Sequence, residues 1–397
     1  MADNKDKKVL NVPHLRFPEF SGEWEETTLG KISEITKGSG ISKDQLSEQG
    51  SPCILYGELY TKYKSEIIDV VYSRTELESS SLVKSKANDV IIPCSGETAI
   101  DISTARCVPF NNILLGGDLN IIRLKHDDGG FFAYQLNGAR KKDIARVAQG
   151  VSVVHLYGEN LKHIRVYHPA IEEQKKITRL LSLMDERIAT QNKIIEDLKL
   201  LKSAIIERAY CNRSYHPCRI GDVIEQISER NKDKSIDMVL SVCNKQGFIN
   251  QSEQFEDRII ASEDTSNYKI VHKNDFAYNP ARINVGSIAR LTTIEMGIVS
   301  PMYICFRVRK GVVSEYLEHF FSTSYFFYEM QKRLEGSVRQ CLSFEGICNI
   351  PIYIPSSEEQ HTIGKKISVL LDKIDVETHY HCKLVEQKHY LLRQMFI

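Results

Sequence analysis

Four places in this 397-residue chain carry residue types that could do chemistry. Tyr278-Asn279-Pro280-Ala281 is partway to the Asn-Pro-Pro-aromatic motif of amino-methyltransferases. Ala281 and Arg282, however, stand where the second proline and the base-holding aromatic belong. Gly38-Ser39-Gly40 is a bare GxG, and position 43, where a dinucleotide fingerprint needs its third glycine, is lysine. Glu173-Gln174-Lys175 has the ExK spacing of many nucleases but no aspartate placed upstream on a strand. His379, His381, Cys382 and His389 are ligand types, yet positions 379 and 381 point about 200° apart on a helix. No Walker motif occurs. These fragments do not converge on one constellation, so no catalysis and no metal site are expected in this chain.

Reading DNA needs other residues: Arg, Lys, Asn, Gln and Ser on loops, among glycines that let the backbone approach phosphate. Three stretches qualify. The acid-free run Asn279 to Arg290 offers Arg282, Asn284, Ser287 and Arg290. Arg140 to Ser152 offers Arg140, Lys141, Lys142, Arg146, Gln149 and Ser152 against a single Asp143. A third run offers Lys332, Arg333, Arg339 and Gln340. Taken singly, each residue reads more readily as part of a solvated helix face or turn. Lys+Arg and Asp+Glu both total 52, so the chain as a whole announces no polyanionic partner. DNA binding then fits best if partner subunits supply part of the positive surface. The ten cysteines include no CxxC pair, and Cys211/Cys218 and Cys341/Cys348 do not match zinc spacing. They read as small apolar residues of a reduced protein. With a polar start and no long apolar run, a cytoplasmic location is expected.

The elements that must position these residues come in two copies. Gly150-Val-Ser-Val-Val-His-Leu156 matches Gly336-Ser-Val-Arg-Gln-Cys-Leu342. Ile164-Arg-Val-Tyr-His-Pro169 matches Ile350-Pro-Ile-Tyr-Ile-Pro355, and Glu172-Glu173-Gln174 matches Glu358-Glu359-Gln360; all these pairs lie 186 residues apart. Asn88-Asp89-Val90 meets Asn274-Asp275-Phe276 at the same offset, and Leu29-Gly-Lys-Ile32 meets Ile220-Gly-Asp-Val223 at 191. Two copies of that length make a duplicated domain and not a solenoid. In each copy, short apolar runs such as Asp89–Pro93, Asn120–Leu124 and Met302–Val308 predict strands. Helical patches are expected around Phe131–Arg146 and Glu315–Leu334, giving an α+β domain. That two of the basic stretches fall at equivalent places in the copies makes the DNA reading more attractive.

Each copy ends in a long helix with a narrow stripe. Steps of four then three residues join Ile177, Leu181, Met184, Ile188, Gln191, Ile195, Leu198, Lys202 and Ile205. This is the spacing of a two-helix seam. In the second copy Ile363, Ile367, Leu370 and Ile374 lead to a polar interval at Glu377 and His381, then Leu384 and Leu391. Glu172 and Glu173 sit in the first turn, where the helix dipole favours acids. A helix over 171–209 would be close to 60 Å long, at about 1.5 Å per residue. Antiparallel pairing of the two helices within one chain is favoured over a core bundle or a homodimeric coiled coil.

The chain resembles the specificity subunits of type I restriction–modification enzymes. The resemblance rests on Pro13-His-Leu-Arg-Phe-Pro-Glu-Phe20, Gly22-Glu-Trp24, Leu29-Gly-Lys-Ile32, the two Pro-x-x-Glu-Glu-Gln helix starts and the Tyr278–Ser287 loop. It implies a first target-recognition domain over 1–170, a central helix over 171–210, a second recognition domain over 211–355 and a distal helix over 356–397. The helices would form an antiparallel coiled coil. It also implies double-stranded DNA, two methyltransferase subunits and two restriction–translocase subunits as partners. S-adenosylmethionine, ATP and magnesium would belong to those partners and not to this chain. The alternatives weighed are a coiled-coil scaffold that binds only protein and a stand-alone methyltransferase or nuclease.

Overall fold

A computed structural model describes residues 10–78, 80–210, 212–244, 246–251, 264–337 and 340–397. Two compact units divide the chain: Met1–Lys193 with His379–Ile397, and Ile194–Thr378. Each long helix therefore begins in one unit and ends in the other.

In the first unit a four-stranded antiparallel sheet runs in the order Ser33–Lys37, Leu119–Leu124, Asp89–Pro93, Arg106–Val108. All five residues of Asp89–Pro93 are buried, as a continuous apolar run demands when both faces are covered. A second sheet orders Leu46–Ser47, Ser73–Thr75, Ser51–Ile54 and Leu114–Leu115, with the last pair parallel. Glu25–Thr28 and Arg165–His168 form a separate antiparallel ribbon. Trp24, Phe131, Phe132, Ile177, Leu181 and Phe396 share the main core, where the Trp24 and Phe131 rings lie 5.5 Å apart, edge to face.

The second unit repeats this plan. Its first sheet orders Ile224–Ile227, Ile304–Val308, Phe276–Tyr278 and Ile288–Arg290. Its second orders Gly247–Asn250, Val239–Cys243, Met296–Val299 and Lys269–His272, again with one parallel pair, and His216–Arg219 pairs with Pro351–Ile354. The repeat extends to backbone conformation. Asn88 and Asn274 both have left-handed φ, at 80° and 72°. Arg123 grips Asp89 with two hydrogen bonds, as Arg307 grips Asp275. Sequence spacing relates the asparagines and aspartates at 186 residues, but the arginines lie 184 apart, and only the fold pairs them.

The two helical patches each divide. Gly129–Asn137 and Lys141–Val147 are separated at Gly138, which leaves helical geometry, and Ser314–Phe320 and Ser324–Gln331 at Thr323, whose hydroxyl caps the second helix.

The long helices span Ile171–Tyr210 and Ser357–Gln394. Ile177, Leu181, Met184, Ile188, Ile195, Leu198 and Ile205 are all buried or half-buried, as are Ile363, Ile367, Leu370, Ile374, Leu384 and Leu391. The distal stripe keeps its spacing through the polar interval: Glu377 pairs with Lys373 one turn back, and Lys388 occupies a further seam position. Lys388 lies 2.6 Å from Glu66 and 2.5 Å from Asp185, and the Tyr134 hydroxyl donates to Asp185 at 2.7 Å. Within the first unit the helices run antiparallel, since Asp185 meets Lys388 while Arg187 meets Tyr380. Within the second, Ile205 and Ile206 share a core with Ile363 and Ile367.

The Glu-Glu-Gln motif joins helix to domain. The Gln174 amide donates to the Pro169 carbonyl and its oxygen accepts from the Asp128 N–H; Gln360 does the same with Pro355 and Val313. Both glutamines are buried. The dipole accounts for only part of Glu173: it is buried and takes two hydrogen bonds from Arg16.

Candidate nucleic-acid interface

In the second unit the strand Phe276–Tyr278 ends at Asn279, whose N–H donates to the Ser287 carbonyl across a turn. The short helix Ile283–Val285 closes at Gly286, whose φ of 92° is a left-handed conformation that suits glycine. Ile283 is buried and anchors the turn, leaving Arg282 exposed and Asn284 half-exposed. Among the described residues Arg282 has no ion pair. Ser287 is 2% exposed and its hydroxyl points to the Val242 carbonyl, so it is part of the scaffold. Arg290 is also internal: its guanidinium pairs with Glu315 at 2.8 Å and Glu318 at 2.9 Å and donates to Asn274. Burial pushes the Glu318 carboxyl up despite Arg290, and burial together with Arg290 and Lys202 drives His319 down to about 4. His319 is therefore neutral near neutral pH and adds no positive charge.

A stretch distant in sequence meets this turn. The Leu342 N–H donates to the Pro280 carbonyl at 3.0 Å, and the helix Ser324–Gln331 shares a core with Ile283 through Phe326 and Met330. Lys332 and Arg333 follow that helix, and both reach back to Glu329. Lys332 also lies 3.8 Å over the Tyr328 ring. Gln340 is exposed, and Arg339 lies outside the described residues. The exposed rings of Phe327 and Tyr328 escape a search for basic residues alone. Their signal is the aromatic run Tyr325-Phe326-Phe327-Tyr328 shortly before Lys332-Arg333.

The first unit has the same join, with the Leu156 N–H donating to the Cys94 carbonyl at 2.8 Å. Leu156 and Cys94 are each 186 positions before Leu342 and Pro280. Arg140 is committed to the Ile397 main-chain oxygen, to Asp143 and to the Tyr167 ring. Lys141 is half-buried, and burial lowers its pKa. Arg146 is largely exposed, with one contact to Asp143. Gln149 and Ser152 are exposed on a tight hairpin, and His155 stacks on Tyr157 beside it, their ring centroids 6.2 Å apart. The facing loop here carries Glu97 and Asp101, unlike its acid-free counterpart.

No group of three or more His, Cys, Asp or Glu side chains is arranged to hold a metal among the described residues. Burial pushes the thiols of Cys53 and Cys94 up to about 11 and those of Cys107 and Cys305 up to about 12, which leaves them unreactive. Among the described residues no helix is long and apolar enough to cross a membrane.

The family model described as the type I restriction modification DNA specificity domain matches residues 21–200 and 213–384. Two Methanocaldococcus jannaschii chains are similar along nearly their whole length. One, named for the MjaX type I restriction enzyme specificity subunit, is 24% identical over 93% of this chain and 92% of its own. The other, the MjaVIII specificity subunit, is 20% identical over 94% and 91%. Among solved structures, the S subunit of a type I restriction–modification system from M. genitalium superposes with a TM-score of 0.60, covering 97% of this chain and 99% of its own at 16% identity. A chain solved in work on complex assembly and conformational transition of the type I R-M system gives 0.56, with 94% and 97% covered at 13% identity.

Proposed function

Because this chain belongs to the type I restriction–modification DNA specificity family, we propose that each of its two domains reads one half of a split DNA target and that the chain itself catalyses nothing. Residues 1–170 and 211–355 are the two target-recognition domains, and the helices over 171–210 and 356–397 set the spacing between the blocks they read. The observation that carries this reading is the duplicated loop join, Leu156 to Cys94 and Leu342 to Pro280. In each unit it ties the segment that closes the basic hairpin to the loop after a central strand of the first sheet. Two such surfaces in one chain suit a target with two blocks.

Arg282, Asn284, Lys332, Arg333, Arg339 and Gln340 are the candidate contacts of the second domain; Lys141, Arg146, Gln149 and Ser152 are those of the first. Arg140, Ser287 and Arg290 hold these surfaces in shape. The partners are double-stranded DNA, two methyltransferase subunits and two restriction–translocase subunits, which carry the S-adenosylmethionine, ATP and magnesium. The assembly works in the cytoplasm.

Methylome sequencing of DNA exposed to the complex reconstituted with its methyltransferase subunit tests this. A motif of two short blocks around a fixed unread gap is expected. Methylation or cleavage by the pure chain supplied with magnesium and S-adenosylmethionine would overturn the non-catalytic reading, and methylation without a bipartite motif would overturn the two-domain one.

A further inference from the structure

We propose that the hairpin tip Gly150–Val153 of the first domain recognises a thymine by its 5-methyl group, with Val151 as the contacting side chain. The inference rests on the DNA-reading role above and assigns one piece of its specificity.

Val151 is 97% exposed and Val153 53%, at the end of a hairpin whose backbone is fixed. Gln149 and His155 exchange both main-chain hydrogen bonds, at 2.9 and 2.7 Å. Gly150 has a φ of +113°, and a Cβ there would fall 2.2 Å from the Val153 carbonyl oxygen, so only glycine fits. Val154 is buried, its strand pairs with Ser95–Gly96, and Leu156 is tied to Cys94. The tip is thus held ready, with little conformational entropy left to lose on binding.

The chemistry then narrows the ligand. An isopropyl group cannot hydrogen-bond, and the apolar group on the base edges of the major groove is the thymine methyl. That groove, about 12 Å wide, admits a β-ribbon. Arg146, Gln149 and Ser152 flank the valines, and the stretch from 144 to 158 itself contains no acid; the acids nearby are Asp143, paired with Arg146, and Glu97 and Asp101 of the facing loop. In the second domain the equivalent of Val151 is the exposed Ser337. The same hairpin scaffold therefore carries a different tip, as expected where two domains read different bases. The methyl preference should be confined to one half of the target.

The test uses the chain assembled with its methyltransferase subunit and a duplex carrying the determined target. Each thymine is replaced in turn by deoxyuridine, which removes only the methyl group. One such replacement, in one half-site, should weaken binding about three- to fivefold, the effect of one buried methyl. The V151S variant should bind the thymine and uracil duplexes equally, with unchanged thermal stability. A half-site pair without thymine, or a uracil penalty equal in native and V151S proteins, overturns the proposal and leaves the function above intact. Loss of methyltransferase binding by V151S on every duplex also overturns it, by assigning the tip to a protein contact. Absence of any bipartite target would remove both readings together.

Discussion

Arg282 and Arg290 belong to one strand–turn–strand segment and do different work. Arg290→Ala leaves two carboxylates facing each other without a counter-charge, and should destabilise the second unit by about 1–2 kcal/mol. A fully buried pair would lose more, but Glu315 is half exposed. Arg282→Ala should leave the melting temperature unchanged and weaken binding to one half of the target by about 1–3 kcal/mol if it reads a base. Equal weakening on every duplex, with a shallower salt dependence, would place Arg282 on phosphate. Sequence shows that both arginines lie in an acid-free run. It cannot show that Glu315 and Glu318, on a later helix, reach back to neutralise one of them. The same blindness covers Arg140, whose partners include Ile397 at the far end of the chain.

His168 gives a residue-scale prediction about pH. Its Nδ1 lies 3.0 Å from Asp127, and that hydrogen bond holds its pKa above the ordinary value, against burial. Stability from a raised histidine pKa is complete below the unfolded value and fades as pH rises through the folded one. Asp127 is lowered, with hydrogen bonds from His168 and Gln174 overcoming burial, so its contribution is lost in acid. The stability excess of the native chain over His168→Gln should therefore be larger at about pH 5.5 than at about pH 8.5. Thermal melts at the two pH values measure it, and an equal excess at both would contradict the assignment.

At the scale of elements, the long helices were the most legible feature, because an apolar period of seven residues sustained over so many turns is the mark of paired helices. The strands Asp89–Pro93, Leu119–Leu124 and Ile304–Val308 were legible as apolar runs. Less legible were the breaks at Gly138, which ends one helix, and at Thr323, which caps the start of the next, because the apolar pattern would continue through both. The Glu-Glu-Gln motif was visible as a repeat, but its purpose was not. A glutamine that bonds a carbonyl five residues back and an N–H 46 or 47 residues away is a joint, and only the fold reveals both partners. Gln174→Leu and Gln360→Leu should each cost about 1–3 kcal/mol by leaving buried backbone groups unpaired. Hydrogen exchange should quicken at Asp128 in the first variant and at Val313 in the second. Loosening of both units by either change would show that the joints are not independent.

At the scale of the whole molecule, the proposed function has two reading domains spaced by paired helices. Duplex DNA presents the same groove face about every 10–10.5 base pairs, or 34–36 Å, so spacing is as much a part of specificity as base contact. Net charge says nothing about this, because the acids and bases of the chain balance. Lengthening both helices together tests the proposal most directly. One heptad inserted after Gln191 and one after Glu377 keeps both seams in phase and adds roughly 10 Å, the span of about three base pairs. Methylome sequencing should then return the same two blocks with a gap widened by about three base pairs. A folded, active variant that methylates at the original gap would contradict the claim that the helices set the spacing.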